Sequence, residues 1–133
     1  MYRDPHQLSG NQRGRAGATV DVTAALYVIS VAARLVELHP TTLRKYERVG
    51  FLEPSRTPGR TRLYSHADIR RLQQIKRLVE EREINLAGVQ MALDLTALLR
   101  EITSHIDQSS DDTLRRQLQA PLRQAFATLS AVD

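Results

Sequence analysis

Residues 39–50 read HPTTLRKYERVG, and this stretch predicts the centre of the fold. Pro40 favours the first turn of a helix, because that turn needs no N–H donor from it and proline already has a helical φ. Gly50 lies where a helix commonly ends with a residue in the left-handed conformation. The stretch therefore predicts a short helix from Pro40 to about Val49.

A second short helix is predicted just upstream. Residues 26–29, Leu-Tyr-Val-Ile, are β-prone, and Ser30 suits a helix N-cap. Residues 31–38 then carry apolar side chains on overlapping faces, and His39-Pro40 ends the pattern. Two short helices separated by about three residues are typical of a helix-turn-helix.

A β-hairpin, or wing, is predicted directly after the second helix. Residues 57–61, Thr-Pro-Gly-Arg-Thr, have turn chemistry, and the residues on either side favour short strands. Arg56, Arg60 and Arg62 lie at the tip and sides of this hairpin. The wing is therefore expected to be positively charged.

Helical patterns continue after the wing. Ser65 is expected to begin a third helix, with Asp68 three residues on in a capping-box arrangement. Asn85 is expected to cap a short fourth helix over residues 86–93. The third helix is expected to bury Ile69, Leu72, Ile75, Leu78 and Val79, and to place Arg70, Arg71, Gln74, Lys76 and Arg77 on the opposite face.

The last third of the chain has two apolar stripes at helical spacing. The first runs through Leu95, Leu99, Ile102 and Ile106, and the second covers residues 114–129. Residues 107–112 are expected to break the helix between them, and Pro121 to kink or restart the second. Such stripes are too apolar to face water alone, so they either fold back on the domain or pair with a second copy of the chain.

Composition limits the class of protein. The chain has 133 residues, 41% of them hydrophobic, which suits one small domain with an arm or an extra helix. It has zero cysteines, which excludes disulfides, thiolate metal sites and a cysteine nucleophile. No apolar run is long enough for a transmembrane helix, and residues 1–17 lack the apolar core of a secretory signal. These features predict a cytoplasmic protein.

Charge is unevenly distributed along the chain. Residues 44–77 contain ten Lys or Arg and three acids, a local charge of +7, whereas residues 84–133 contain four Arg and six acids, a local charge of −2. A basic middle and a mildly acidic tail are typical of a module that faces a polyanion and has another part attached. Residues 1–25 are polar and without periodicity, so they are expected to form a disordered arm.

The predicted second helix has the side chains that DNA recognition needs. His39, Thr41, Thr42, Arg44 and Lys45 offer polar and basic groups for the major groove, where each base pair has a distinct pattern of donors and acceptors. The same residues also have structural interpretations. Thr42 could only stabilise the helix start, Tyr46 could be a core aromatic, and Glu47 could pair with Arg44 or Arg48.

Other classes of site find little support in the sequence. The four histidines are scattered and have no partner at metal-ligand spacing, so no metal and no cofactor are expected. A glycine-rich phosphate loop and a serine nucleophile elbow are absent, so the chain is not expected to be an enzyme.

Residues 27–95 resemble the DNA-binding domain of the MerR family of bacterial transcription regulators. The resemblance lies in residues 42–52, Thr-Leu-Arg-Lys-Tyr-Glu-Arg-Val-Gly-Phe-Leu, and in Pro54, Arg56, residues 62–65, Asp68 and Leu72. Residues 27–33, His39-Pro40 and residues 84–89 further resemble the HspR-type branch of heat-shock repressors. Lys45 departs from the family, which commonly has an aromatic residue there, and the family's metal and redox sensors need cysteines that this chain lacks.

The resemblance implies a mainly α, winged helix-turn-helix fold with a small β-hairpin wing and C-terminal dimerisation helices. It implies a homodimer on an inverted repeat of double-stranded DNA, with Thr42, Arg44 and Tyr46 on the recognition helix, and with Arg56, Arg62 and Tyr64 holding phosphates. The branch further implies repression of chaperone genes with a DnaK-type chaperone as co-repressor. The candidate DNA-binding residues are Ser30, His39, Thr41, Thr42, Arg44, Lys45, Tyr46, Arg48, Arg56, Arg60, Arg62 and Tyr64.

The expected domains are the arm (1–25), the DNA-binding domain (26–94) and a helical dimerisation region (95–133) that uses Leu95, Leu99, Ile102 and Ile106. Two other DNA-binding functions stay open at this point. One is an activator that distorts promoter DNA, and the other is an excisionase-like architectural protein that bends DNA. A partner-binding adaptor with an incidental basic surface is a third alternative.

Overall fold

The computed structural model describes residues 24–131, so the arm expected at residues 1–25 lies almost wholly outside the described part. The described chain forms two compact units that divide between Ile69 and Arg70. Its elements are β1 (Ala25–Val28), α1 (Ile29–Val36), α2 (Pro40–Arg48), β2 (Ser55–Arg56), β3 (Arg62–Ser65), α3 (His66–Lys76), a π-helical turn (Arg77–Glu81), α4 (Leu86–Asp107) and α5 (Asp112–Thr128). The predicted fold class, a mainly α winged helix-turn-helix, is confirmed.

The wing belongs to a three-stranded antiparallel sheet with the order β1-β3-β2. In the hairpin, Arg56 lies opposite Arg62. On the other edge of β3, the β-prone run before α1 pairs as strand β1, with Val28 opposite Leu63. The hairpin is as expected from sequence, but its extension to a third strand by β1 was not predicted.

The first helix of the helix-turn-helix begins earlier than predicted. Its N-cap is Val28, which makes no side-chain capping bond, so Ser30 lies inside the first turn and the N-cap prediction for Ser30 is wrong. The helix ends at Val36 because Glu37 adopts a left-handed conformation with φ +56°, and the Leu38 N–H then bonds to the Ala33 carbonyl at 3.0 Å.

The core of the first unit forms where α1, α2, the segment after α2 and the sheet supply apolar residues. Burial of this apolar surface is the main stabilising contribution that the unit has, at roughly 25 cal/mol per Å². The helix α3 adds Ile69 to this core. The buried hydrophobic residues of the unit are Ala24, Ala32, Ala33, Val36, Leu43, Tyr46, Phe51, Leu52, Tyr64 and Ile69.

The start of α3 has the predicted reciprocal cap. The Ser65 N–H donates to the Asp68 carboxylate at 2.9 Å, and the Asp68 N–H donates to the Ser65 hydroxyl at 3.0 Å. Each bond satisfies a backbone donor that the first helical turn leaves without a partner. The helix therefore begins at a residue pair that the sequence alone identifies.

Gln74 on α3 is buried, so the prediction that it lies on the polar face opposite the core is wrong. Its amide nitrogen donates to the Thr96 hydroxyl at 2.7 Å and to the Leu129 carbonyl at 3.0 Å. A buried amide costs stability unless such partners satisfy it. Gln74 thus ties α3 to α4 and to the end of α5 inside the second unit.

The helix that Asn85 caps is much longer than predicted. The Asn85 side chain accepts from the Gly88 N–H at 2.9 Å, as expected for a cap, but α4 then continues for 22 residues instead of ending at Leu93. The domain boundary expected between residues 94 and 95 therefore falls inside this continuous helix. A Cβ at Gly88 would lie 2.5 Å from Ile84 Cγ2, so close packing favours glycine there.

The predicted break before the last helix is confirmed, because α4 ends at Asp107 and α5 begins at Asp112. The Asp111 carboxylate caps α5 by accepting from the Leu114 N–H at 3.0 Å. The helix passes through Pro121 and ends at Thr128, so it does not restart at the proline.

Candidate nucleic-acid interface

Four side chains on α2 form one exposed face, which we call the recognition face: Thr41, Arg44, Lys45 and Arg48. Their spacing of three, four and seven residues places them on one side of a helix. On the opposite side, Leu43 and Tyr46 are buried. One face of α2 therefore packs against the core, and the opposite face exposes one threonine and three basic side chains to solvent.

Both ends of α2 form by local chemistry. At the start, the Thr41 N–H donates to the His39 side chain, Nδ1, at 3.1 Å, so His39 is the N-cap. At the end, Gly50 has φ +89°, a conformation that glycine adopts without strain, and the Phe51 N–H bonds to the Tyr46 carbonyl at 2.9 Å. The predicted bounds, Pro40 to about Val49, are confirmed.

Two predicted DNA-contacting tyrosines lie in the core. Tyr64 is 0% exposed, and Tyr46 is 6% exposed with its ring 5.8 Å from that of Phe51. The predicted phosphate contact by Tyr64 is therefore wrong, because a side chain with no exposed surface presents no atom to DNA. Tyr46 is a core aromatic, the structural interpretation given for it above. Burial also raises the pKa of the Tyr64 hydroxyl.

The remaining predicted residues stay on the surface to different degrees. Ser30 on α1 and His39 before α2 are exposed, whereas Thr42 is half-buried. Arg60 at the wing tip is exposed and adopts φ +68°, a left-handed conformation unusual for a residue with a side chain. The wing tip is thus a tight turn, closed by the bond from the Arg60 N–H to the Thr57 carbonyl at 2.8 Å.

Glu47 connects α2 to both strands of the wing hairpin. Arg56 Nη2 donates to one of its carboxylate oxygens at 2.7 Å, and Arg62 Nε donates to the other at 2.6 Å. The alternative pairing considered from the sequence, with Arg44 or Arg48, does not appear among the ion pairs of the described residues. Partial burial raises the pKa of Glu47, but the hydrogen bonds from Arg62 and Arg56 outweigh this effect, so the net shift is downward.

The lowered pKa of Glu47 predicts a pH dependence of stability. A carboxylate whose pKa is lower in the folded than in the unfolded state stabilises the fold above its ordinary pKa, here 4.5, and loses that contribution as the pH falls through the folded value. The difference in free energy of unfolding between wild type and Glu47→Gln should therefore shrink on acidification. Urea unfolding at a series of pH values measures it, and a difference independent of pH would contradict the assignment.

The predicted dimerisation residues divide between two surfaces of α4. Leu95 and Ile102 are exposed, but Leu99 and Ile106 are half-buried. Ile106 lines a cleft of about 520 Å³ between α4 and α5, together with Phe126. Leu86 at the start of α4 is exposed. The exposed large hydrophobic residues further along this helix are Met91, Leu95, Leu98 and Ile102, which we call the apolar stripe.

Residues 24–131 lack the features of two other classes of protein. Among these residues, no group of three or more histidine, aspartate or glutamate side chains is placed to hold a metal ion. No helix there is both long enough and apolar enough to cross a membrane.

Comparison with known proteins identifies relatives of this arrangement. Residues 27–96 match the model of a family described as MerR HTH family regulatory proteins. The chain is 43% identical over 95 residues to the putative heat shock protein HspR of Streptomyces coelicolor, a match that covers 71% of this chain and 62% of that protein.

Two further transcriptional regulators are similar to this chain. The transcriptional regulator MlrA of Escherichia coli is 41% identical over 70 residues, which is 52% of this chain and 28% of MlrA. The transcriptional regulator GlnR of Bacillus anthracis is 34% identical over 71 residues, which is 53% of this chain and 54% of GlnR. The matches cover less than two thirds of each of these relatives.

Proposed function

Because the chain belongs to the MerR family of helix-turn-helix regulatory proteins, we propose that it binds duplex DNA sequence-specifically and represses heat-shock genes. The observation that carries this proposal is the recognition face of α2, where Arg44, Lys45 and Arg48 are exposed together on a helix that the core holds firmly. Arginine and lysine in the major groove read guanine edges, and basic side chains also neutralise phosphates.

The operator in this proposal is an inverted repeat bound by a homodimer. A dimer with twofold symmetry presents two recognition helices to two half-sites about one helical turn apart. The apolar stripe of α4 supports the dimer, because apolar side chains that are exposed next to one another on a protein surface commonly mark an interaction site. Binding to the chromosome would place the protein in the cytoplasm.

The heat-shock target is proposed from the similarity to the S. coelicolor protein, whose name is putative heat shock protein HspR. We include a DnaK-type chaperone as co-repressor in this proposal. In this proposed function the chain binds DNA and catalyses no reaction. An excisionase-like architectural role is less favoured, because bending DNA does not by itself require the long apolar stripe of α4.

The proposal is tested by selecting duplexes from a randomised library with the whole chain. The expected result is enrichment of one inverted repeat, found in the genome at promoters of chaperone genes. Transcription in vitro from such a promoter should fall when the chain is added, and fall further with a DnaK-type chaperone. An increase in transcription would instead identify an activator, and the absence of enrichment would contradict sequence-specific binding.

A further inference from the structure

Glu47, near the C-terminal end of α2, contacts two of the three arginines of the wing hairpin. Its two carboxylate oxygens accept from Arg62 Nε at 2.6 Å and from Arg56 Nη2 at 2.7 Å. The second terminal nitrogen of Arg56 donates to the Arg60 carbonyl at 3.3 Å. The Arg56 guanidinium is therefore held on two sides, by α2 and by the wing tip.

The pairing of β2 with β3 explains why a carboxylate belongs there. Arg56 and Arg62 are directly opposite each other in the strand register, and like charges at such positions repel. Glu47 lies against both and lowers the charge of the group from +2 to +1. The side chains of Arg56, Arg62 and Glu47 remain 42%, 26% and 22% exposed, so the group is at the surface, where DNA phosphates would approach.

Charge at this surface determines affinity for any duplex. Each phosphate that a protein neutralises contributes to binding irrespective of sequence and makes binding more sensitive to salt. Glu47 engages one nitrogen of each wing arginine and carries a negative charge beside them. It therefore opposes the attraction between the wing and phosphates on operator and non-operator DNA alike.

The same carboxylate also sets the position of the wing relative to α2. Contacts to phosphates fix the register of a protein on DNA, and contacts to base edges then read the sequence. The hydrogen bonds that Glu47 accepts from the two arginines join the helix that carries Arg44 and Lys45 to the hairpin. Only binding to the correct sequence gains from this fixed arrangement, because only there are the base contacts made.

We propose that Glu47 is a specificity-determining residue, which lowers affinity for non-operator DNA while holding the wing in register with the recognition helix. The proposal rests on the DNA-binding function proposed above. Glu47 acts through Arg56 and Arg62 and does not itself contact the bases, so it is a positioning residue.

The test compares Glu47→Gln with Glu53→Gln and wild type. Glu53 is exposed in the segment between α2 and β2, so its replacement removes the same charge from the same unit without breaking the contacts to the arginines. Affinity is measured on the duplex that wild type selects and on a scrambled duplex of equal length, over a range of salt concentrations. Thermal unfolding of each variant checks that it is folded.

Glu47→Gln is expected to bind scrambled DNA about threefold more tightly and to steepen the salt dependence of binding by about one unit of slope, the effect of one added cationic contact. Its preference for the selected duplex should fall, because only the selected duplex also loses the benefit of a wing held in register with α2. Loss of folding cannot mimic this result, because an unfolded fraction weakens binding. In an Arg56→Ala background the effect of Glu47→Gln should become smaller, since the two residues act through one contact.

If Glu47→Gln binds scrambled DNA no more tightly than wild type does, the inference is overturned. It is also overturned if Glu53→Gln gains as much affinity for scrambled DNA as Glu47→Gln does, because net charge alone would then explain the effect. If the wild-type chain selects no duplex from the randomised library, that result contradicts the proposed function instead. The two failures are therefore distinguishable.

Discussion

Replacing Leu98 and Ile102 with aspartate is expected to convert the protein to a folded monomer and to weaken its binding to an inverted repeat by about 100-fold or more. Two half-sites bound by one dimer gain from the high effective concentration of the second recognition helix. A monomer loses that gain but keeps its contacts to a single half-site. Affinity for a half-site duplex should therefore stay close to that of wild type.

The reason for choosing this pair lies in the exposure of the apolar stripe. Met91 is 65% exposed, Leu95 45%, Leu98 55% and Ile102 50%, and the spacing of four, three and four residues is that of a two-helix seam. Leu99 and Ile106, which were expected at the seam from sequence, are instead half-buried in the second unit. Aspartate at either of these two positions would therefore destabilise the fold as well as any dimer, and the two effects could not be separated.

A matched control uses Ala97→Asp with Ser104→Asp. These positions are exposed on the same helix and off the apolar stripe, so the charge change is equal and the dimer should persist. Sedimentation with and without the selected duplex measures the state of each variant. An unmutated chain that is monomeric at micromolar concentration on the inverted repeat would show that the dimer proposal is wrong.

Replacing Arg44 with alanine is expected to weaken binding to the selected duplex by about 1–3 kcal/mol, the cost of losing one bidentate contact to a base. Arg44 is exposed on the recognition face, within the first turns of α2, whose N-terminal part enters the groove in helix-turn-helix proteins. Binding to a scrambled duplex should decrease much less, because base contacts contribute only at the correct sequence.

Arg44→Lys is the control for charge. Lysine keeps the positive charge but lacks the planar fork that pairs with two acceptors at once. It should therefore bind scrambled DNA as wild type does and still lose most of the preference for the selected duplex. Equal losses on both duplexes in Arg44→Ala, with full recovery in Arg44→Lys, would show that Arg44 contacts only phosphate.

Local chemistry explains the parts of the fold that the sequence alone predicts correctly. Pro40 and Gly50 bound α2 because their allowed backbone conformations suit the two ends of a helix. Ser65 and Asp68 begin α3 because their side chains reach backbone groups three residues away. The basic character of the recognition face follows from residue order and helical spacing. Each of these features depends on preferences that act within about one helical turn, so the order of residues is enough to predict them.

Contacts between distant residues decide the rest. Glu47 and Arg62 are 15 residues apart, and Gln74 and Leu129 are 55 apart, so no local pattern indicates either pair. Tyr64 carries a polar group that suits a phosphate contact, yet its side chain is completely buried. The choice of ion-pair partners and of buried polar groups therefore belongs to the tertiary structure, because it depends on what the fold packs against each side chain.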